Sequence, residues 1–112
     1  MSAHAYERLH DPGGRGLAGL LKVLGDPNRL AIVLTLGAGR RSVSEIIEVT
    51  GLPQTLVSFH LRVLRRSGLV RTVRQGSFIH YSLVDPDLIG LLAELARRVG
   101  AGLPDAARGC RG

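Results

Sequence analysis

Hydrogen-bonding and cationic side chains recur from Gly51 to Leu69, along a stretch whose pattern predicts a helix over residues 53–67. Val57, Leu61 and Leu64 follow the i, i+4, i+7 spacing of one apolar stripe, which predicts the buried face. The opposite face carries polar groups at its N-terminal end and guanidinium groups toward its C-terminal end: Gln54, Thr55, Ser58, Phe59, Arg62, Arg65 and Arg66. Because this face has no Asp or Glu, it suits a polyanionic partner that offers base edges to read. An ordinary surface helix with one basic side is the alternative.

The basic charge of the chain is concentrated around this predicted helix. The formal net charge is +6, from 15 Lys and Arg against 9 Asp and Glu. Residues 40–80 hold seven Arg against Glu45 and Glu48, and therefore contribute +5 of that charge. All but one of the 15 cationic residues are Arg, which favours forked contacts to phosphate or guanine.

Length and composition predict one soluble domain, with 112 residues, 45% hydrophobic and 21% charged. No apolar run is long enough to cross a bilayer or to form a signal-peptide core, so we expect a cytoplasmic protein without a membrane partner. The single Cys110 excludes an intrachain disulfide framework and a cysteine-cluster zinc site. We expect a flexible arm over residues 1–14, a folded domain over 15–99 and a disordered tail over 100–112.

Two apolar helices are predicted before residue 40. The first ends at Gly25, and Asp26 followed by Pro27 is typical of a helix start with Asp as N-cap. Gly37 ends the second helix. In the second helix, the residues expected to face inward are Leu30, Val33, Leu34 and Leu36. In the first helix, one apolar face is expected to consist of Leu17, Leu20, Leu21 and Leu24.

A third helix is predicted between these two and the polar helix. Ser42 and Glu45 have the S-x-x-E spacing of a capping box, and Gly51 ends the helix. Only Leu52 to Gln54 separate Gly51 from the established part of the polar helix. A helix, a tight glycine-containing turn and a second helix make a helix-turn-helix, whose second helix can enter a major groove of DNA.

After Gly68 the pattern changes to that of β-strands. Leu69–Arg74 and Phe78–Val84 are rich in β-branched and aromatic residues, and residues 75–77 between them contain a glycine. The pattern therefore predicts a β-hairpin, or wing, whose tip presents Arg74 and Gln75.

A last helix follows Asp85-Pro86, which repeats the earlier cap signature and predicts Asp85 as N-cap. Its apolar side is expected to consist of Leu88, Leu91, Leu92, Leu95 and Val99. The first and last helices are more apolar than one small core can bury, so we expect them to pair with their copies across a two-fold axis. The predicted fold is mainly α with a small β-hairpin, a homodimeric winged helix-turn-helix with the wing between the fourth and fifth helices.

Three sequence motifs occur in this order: L-G-D-P-N-R-L, V-S-x-H-L-x-x-L-x-x-x-G-L-V and G-x-x-x-x-Y-S-L. Together they resemble the arsenical-repressor (ArsR/SmtB) family of winged helix-turn-helix transcriptional regulators, over about residues 17–98. The resemblance implies a homodimer that sits on a palindromic operator near its own gene and blocks transcription. It also implies release from DNA when an inducer, often a metal ion, binds.

The resemblance places the DNA-reading positions within the polar helix and the wing. They fall on Gln54, Thr55, Ser58 and Phe59 or His60, with Arg62 and Arg65 beside them and with Arg74 and Gln75 in the wing. Gln54 can make a bidentate contact to adenine, and Arg62 can fork onto guanine or phosphate. Phe59 stands where relatives usually have Gln or Arg, so it either touches a thymine methyl or packs against the protein. For His60 the alternative role is a hydrogen bond to backbone or phosphate.

The family's metal sites do not carry over to these residues. No Cys-x-Cys lies in residues 42–49, where relatives that sense arsenic or cadmium often have it. Asp85 and Asp87 could stand for the first ligands of a zinc, cobalt or nickel site, but the later positions fall near Arg98 and Ala101. Neither side chain can ligate a cation, so we predict no metal site there and assign Asp85 to helix capping.

A metal ion of unknown identity is left open as the inducer. His4, His10, Asp11 and Cys110 form a chemically suitable set for zinc or nickel, although nothing in the sequence fixes their spacing.

The residue patterns predict a DNA-binding protein and not an enzyme, and the resemblance implies a sequence-specific regulator that represses transcription. Ser58 and His60 are too close along one helix to face each other as nucleophile and base, and no carboxylate is placed to orient the His. The alternative function is a winged helix that binds protein, or nucleic acid without sequence preference, and that does not respond to an inducer.

Overall fold

A computed structural model describes residues 16–102. In chain order its elements are α1 (Leu17–Leu24), α2 (Pro27–Leu36), α3 (Val43–Thr50), α4 (Gln54–Arg66), β1 (Val70–Gln75), β2 (Phe78–Leu83) and α5 (Leu88–Val99). This is the predicted order of five helices with a hairpin before the last. The predicted arm over residues 1–14 and tail residues 103–112 lie outside the described range.

The starts of α2 and α3 follow the cap signals in the sequence. The Asp26 carboxylate accepts from the backbone N–H groups of Asn28 and Arg29 at 2.9 and 3.0 Å, as an N-cap does. The Arg29 N–H is the main cause that holds the pKa of Asp26 below its usual value. Ser42 and Glu45 form both bonds of the predicted capping box, at 3.2 and 2.9 Å. These two predictions are confirmed.

The core is aliphatic and is built around α2. Five consecutive residues of this helix, from Ile32 to Leu36, are buried, which is typical of a helix enclosed on several sides. The prediction of the inward face was incomplete, since it omitted the fully buried Ile32 and included the half-buried Leu30. The buried core cluster consists of Leu24, Ile32, Val33, Leu36, Ile46, Val57, Leu61, Leu64, Val70 and Leu83.

The wing is an antiparallel pair whose register runs from Val70 opposite Leu83 to Gln75 opposite Phe78. That register leaves a two-residue turn, Gly76-Ser77, and Gly76 has a φ of 63°, which favours glycine. An unpredicted contact anchors the wing. The backbone of Arg41 pairs with that of Tyr81 through bonds of 2.9 and 2.7 Å, so the chain entering α3 lies beside β2.

The start of α5 differs from the prediction. The N-cap position is Asp87, and α5 begins at Leu88. Asp85 instead accepts from the backbone N–H of Asp87 at 2.9 Å, while its carbonyl accepts from Leu88 N–H at 3.1 Å. The Asp-Pro signature therefore stabilises a tight turn that precedes the helix, and the assignment of Asp85 as N-cap was wrong.

The last helix packs on the domain by one side only. Where α5 approaches the end of α2, a Cβ added to Gly37 would lie 2.7 Å from Cγ1 of Ile89. No residue of α5 is fully buried, and Leu91 and Val99 are 65% and 67% exposed. Within residues 16–102, none of the helices is both long and apolar enough to cross a bilayer.

Candidate nucleic-acid interface

The polar helix of the sequence is α4, the second helix of a helix-turn-helix. It begins at Gln54, with Pro53 as the N-cap residue, one position later than predicted. Gly51, with a φ of 72°, ends α3 and turns the chain toward α4. The predicted stripe of Val57, Leu61 and Leu64 is buried, which leaves the opposite side of α4 outside the core.

The outer face of α4 carries the predicted contact residues. At 100° per residue, its centre lies opposite the buried stripe. The residues near that centre are Thr55, Ser58, Phe59, Arg62 and Arg66, with Gln54 and Arg65 at its edges, and all seven are exposed. Phe59 is 50% exposed, with its ring edge-on to His60 at a centroid distance of 5.2 Å. In this position the Phe59 ring is accessible to a thymine methyl, and it also contacts His60.

Three arginines cluster at the C-terminal part of this face. Arg62, Arg65 and Arg66 line an open groove of about 370 Å³. In the part of the chain that the structure describes, the ion pairs join Glu94 to Arg97 and Arg98 and involve none of these three arginines. Because no carboxylate of residues 16–102 pairs with them, their charges are directed to solvent or to an anionic partner.

His60 does not lie on this face. Its side chain is only 5% exposed, and its Nδ1 atom lies 3.4 Å from Nη1 of Arg29. His60 is three positions after Val57, so it belongs to the buried stripe. The structure therefore places His60 away from the exposed face that carries the other candidate contacts. Its i+3 spacing from Val57 was visible in the sequence, and the resemblance alone had placed it among the DNA-reading positions.

The wing tip carries its two predicted residues on opposite faces of the hairpin. Arg74 is paired with Ile79 and Gln75 with Phe78, and successive residues of a strand point to alternate faces. Both predicted residues are exposed. Phe78, which was not among the predicted contacts, is 67% exposed beside Gln75. Its position at the end of the hairpin was available from the sequence pattern.

The residues at the family's metal positions do not fit a metal ion. Asp85 is engaged with the backbone of its own turn, and the guanidinium of Arg98 donates to Glu94 at 2.8 Å. Among residues 16–102, no group of three or more His, Cys, Asp or Glu side chains is arranged to hold a metal. The alternative ligands His4, His10, Asp11 and Cys110 lie outside the described residues.

A helix-turn-helix followed by a two-stranded wing places the chain in the winged helix-turn-helix class. Residues 24–73 match the family model described as a helix-turn-helix domain. The HTH-type transcriptional repressor SmtB of Mycobacterium tuberculosis is 37% identical over 81 residues, an alignment that covers 72% of this chain and 60% of SmtB. KmtR, an HTH-type transcriptional regulator of the same organism, is 34% identical over 88 residues, covering 76% of this chain and 68% of KmtR.

Solved structures show the same likeness. The transcriptional repressor BigR from Xylella fastidiosa is 35% identical and superposes with a TM-score of 0.69, covering 87% of this chain and 95% of that one. The chain belongs to the ArsR/SmtB family of winged helix-turn-helix transcriptional regulators. The predicted winged helix-turn-helix fold and the family are confirmed, and these relatives are named as transcriptional regulators, which supports the expectation that the chain is not an enzyme.

Proposed function

We propose that the protein is a sequence-specific DNA-binding repressor of transcription. It acts in the cytoplasm as a homodimer on a palindromic operator, and an inducer releases it. The names of SmtB and BigR as transcriptional repressors support this assignment. The observation that carries it is the outer face of α4, which is exposed, acid-free and rich in arginine.

The chemistry along that face matches the edges of base pairs in a major groove. Gln54, at the N-terminal end of α4, can accept from and donate to adenine at once. Thr55 and Ser58 offer hydroxyl groups that reach either a base edge or a phosphate oxygen. Arg62 lies further along the same face and can fork onto guanine, while Arg65 suits the flanking phosphate backbone.

The wing supplies contacts outside the recognition helix. Arg74 provides a cation for a phosphate, and Gln75 provides an amide for a groove edge or the backbone. Phosphate contacts position the protein without reading sequence, so the wing adds affinity and register.

A second copy of the chain covers the apolar faces of α1 and α5. Leu17 and Leu21 on α1 and Leu91, Leu95 and Val99 on α5 are large apolar side chains that the single chain leaves exposed. An exposed apolar patch of this kind is typical of an interaction surface. Self-pairing across a two-fold axis would bury it and would place two α4 helices against the two halves of a palindrome.

A metal inducer would need ligands other than Asp85 and Asp87, and the candidates are His4, His10, Asp11 and Cys110. Titration of the protein–DNA complex with zinc, nickel, an oxidant and a chelator would test release by each of these agents directly.

The DNA-binding proposal is tested by fluorescence anisotropy with two labelled duplexes. One carries the palindrome selected by the protein from the region upstream of its own gene, and the other is a random sequence of equal length. We expect the dimer to prefer the palindrome by at least about a thousandfold at physiological salt. Equal affinity for both duplexes would refute sequence-specific repression and favour the non-specific alternative.

Substitution of Arg62 tests how the outer face reads the site. Arg62→Ala should cost about 1–3 kcal/mol at one base pair of each half-site and relax the preference there. The measurement is a set of affinities for operators that carry each base at each position. A loss that is equal for all operators would assign Arg62 to phosphate instead of guanine. Arg62→Lys, which keeps the charge without the fork, is the matched control.

A further inference from the structure

Arg29, the third residue of α2, links three separate parts of the fold. Its backbone N–H donates to the Asp26 cap at 3.0 Å. Its side-chain Nε donates to the carbonyl oxygen of Val23 at 2.8 Å, and its Nη1 lies 3.4 Å from Nδ1 of His60. One guanidinium therefore connects the end of α1 with the middle of α4.

The contact with Val23 satisfies an unpaired group of α1. The last four carbonyl groups of a helix have no partner within the helix, and Val23 is the second-last residue of α1. A cation at this end also interacts favourably with the helix dipole. Arg29 therefore holds the C-terminal end of α1, the helix whose Leu17 and Leu21 lie on the proposed dimer surface.

The contact with His60 pairs a buried imidazole with a guanidinium. A guanidinium can only donate, so Nδ1 of His60 is the acceptor in this contact. His60 is buried within the stripe that attaches α4 to the core. A polar group buried there needs a partner, because an unsatisfied one is costly. Arg29 supplies that partner from α2.

We propose that Arg29, acting through His60, is a positioning residue that sets α4 relative to α1. Because α1 lies on the proposed dimer surface, Arg29 thereby also sets the separation of the two α4 helices in the dimer. This inference rests on the proposed function, because it concerns the geometry with which the dimer meets its operator. Neither Arg29 nor His60 needs to touch DNA for this role.

The link between Arg29 and His60 depends on the chemistry of both side chains. A lysine at position 29 presents a single nitrogen, which cannot take the places of Nε and Nη1 at the same time. A leucine at position 60 fills the space of the imidazole but accepts no hydrogen bond. An asparagine there can present Oδ1 close to where Nδ1 of the imidazole lies. Arg29→Lys and His60→Leu should therefore disturb the link, and His60→Asn should retain it.

The first test measures the distance between the two α4 helices without DNA. A spin label is attached at Thr55→Cys in a Cys110→Ser background, and the distance between the labels of the two subunits is measured by pulsed electron paramagnetic resonance. Arg29→Lys and His60→Leu should broaden or shift the distance distribution, while His60→Asn should reproduce that of the parent. An unchanged distribution in both disruptive variants would overturn the proposal. Absence of any intersubunit signal in the parent would refute the proposed dimer, and this inference with it.

The second test compares affinities for the selected palindrome and for the same palindrome with its half-sites moved apart by two base pairs. The parent should prefer the native spacing, and Arg29→Lys and His60→Leu should lose roughly tenfold of that preference, as expected for one buried hydrogen bond. Affinity for random duplex should stay unchanged, because the outer face of α4 is intact. If Arg29→Lys does not fold, the comparison of His60→Leu with His60→Asn decides. If His60→Leu and His60→Asn prefer the native half-site spacing equally, the proposed role of Arg29 and His60 is contradicted.

Discussion

Removal of Arg74 from the wing should change how DNA affinity depends on salt. Arg74 is exposed near the tip of β1, and each proposed dimer carries two copies. Each phosphate that a protein neutralises contributes about −0.9 to the slope of log affinity against log salt concentration. If each Arg74 contacts one phosphate, Arg74→Ala should make that slope shallower by about 1.8.

The predicted change in slope converts into a measurable ratio. Between about 50 and 200 mM salt, the advantage of the wild-type protein over Arg74→Ala should shrink about twelvefold. Anisotropy titrations with the selected palindrome at several salt concentrations in this range give both slopes. The variant should bind more weakly at low salt, and the two proteins should converge as salt rises.

Arg97→Ala is the matched control for this measurement. It removes the same charge, but from α5, where the Nε of Arg97 already donates to Glu94 at 3.0 Å. Its slope should equal that of the wild-type protein. If Arg74→Ala keeps the wild-type slope as well, the wing does not contact the DNA backbone, and that part of the proposed interface is wrong.

Four further substitutions test stability and assembly. Gly37→Ala should lower the free energy of unfolding by about 1–3 kcal/mol, because the new Cβ would overlap Ile89 at 2.7 Å. Gly90→Ala, which meets no atom within 4 Å, should instead raise it by about 0.5–1 kcal/mol, and equal values for the two in chemical denaturation would contradict the packing of α5. Asp26→Ala should cost about 1 kcal/mol at pH 7 through loss of the cap. The pKa of Asp26 is lowered in the folded state, so the carboxylate stabilises the fold fully above its usual pKa of 3.8, and this contribution is lost as pH falls from that value through the lower pKa of the folded state. The difference in the free energy of unfolding between Asp26→Ala and the wild-type protein should therefore become smaller in acid. A constant difference between their denaturation midpoints from pH 7 to pH 2 would count against the charged cap. Leu91→Asp should give monomers at micromolar concentration in analytical ultracentrifugation, since Leu91 is 65% exposed on the proposed interface, and a persistent dimer would exclude this surface.

The helix starts that the sequence revealed are those whose partners lie within three residues. The Asp26 cap and the Ser42–Glu45 capping box each need only a few neighbouring backbone groups, so sequence spacing determines them. Asp85 has the same Asp-Pro signature as Asp26, but its carboxylate supports a turn ahead of α5. The Asp-Pro pair therefore predicts a turn capped by the Asp carboxylate, but it does not determine whether a helix begins directly after it.

Contacts between distant segments could not be read from the sequence. His60 was assigned to the DNA-reading positions through the resemblance, and its contact with Arg29, 31 residues earlier, could not be read from the sequence. The pairing of Arg41 with Tyr81 likewise joins segments 40 residues apart. The seven exposed residues of the outer face were predicted because a single helical period sorts them from Val57, Leu61 and Leu64.

The most direct test of the proposed function is the crystal structure of the dimer bound to the palindrome that it selects. The outer faces of the two α4 helices should lie in successive major grooves about 34 Å apart, with Gln54 and Arg62 within hydrogen-bonding distance of base edges. A complex in which α4 faces away from the grooves, or in which the two helices cannot reach successive grooves, would contradict the assignment of this face to DNA.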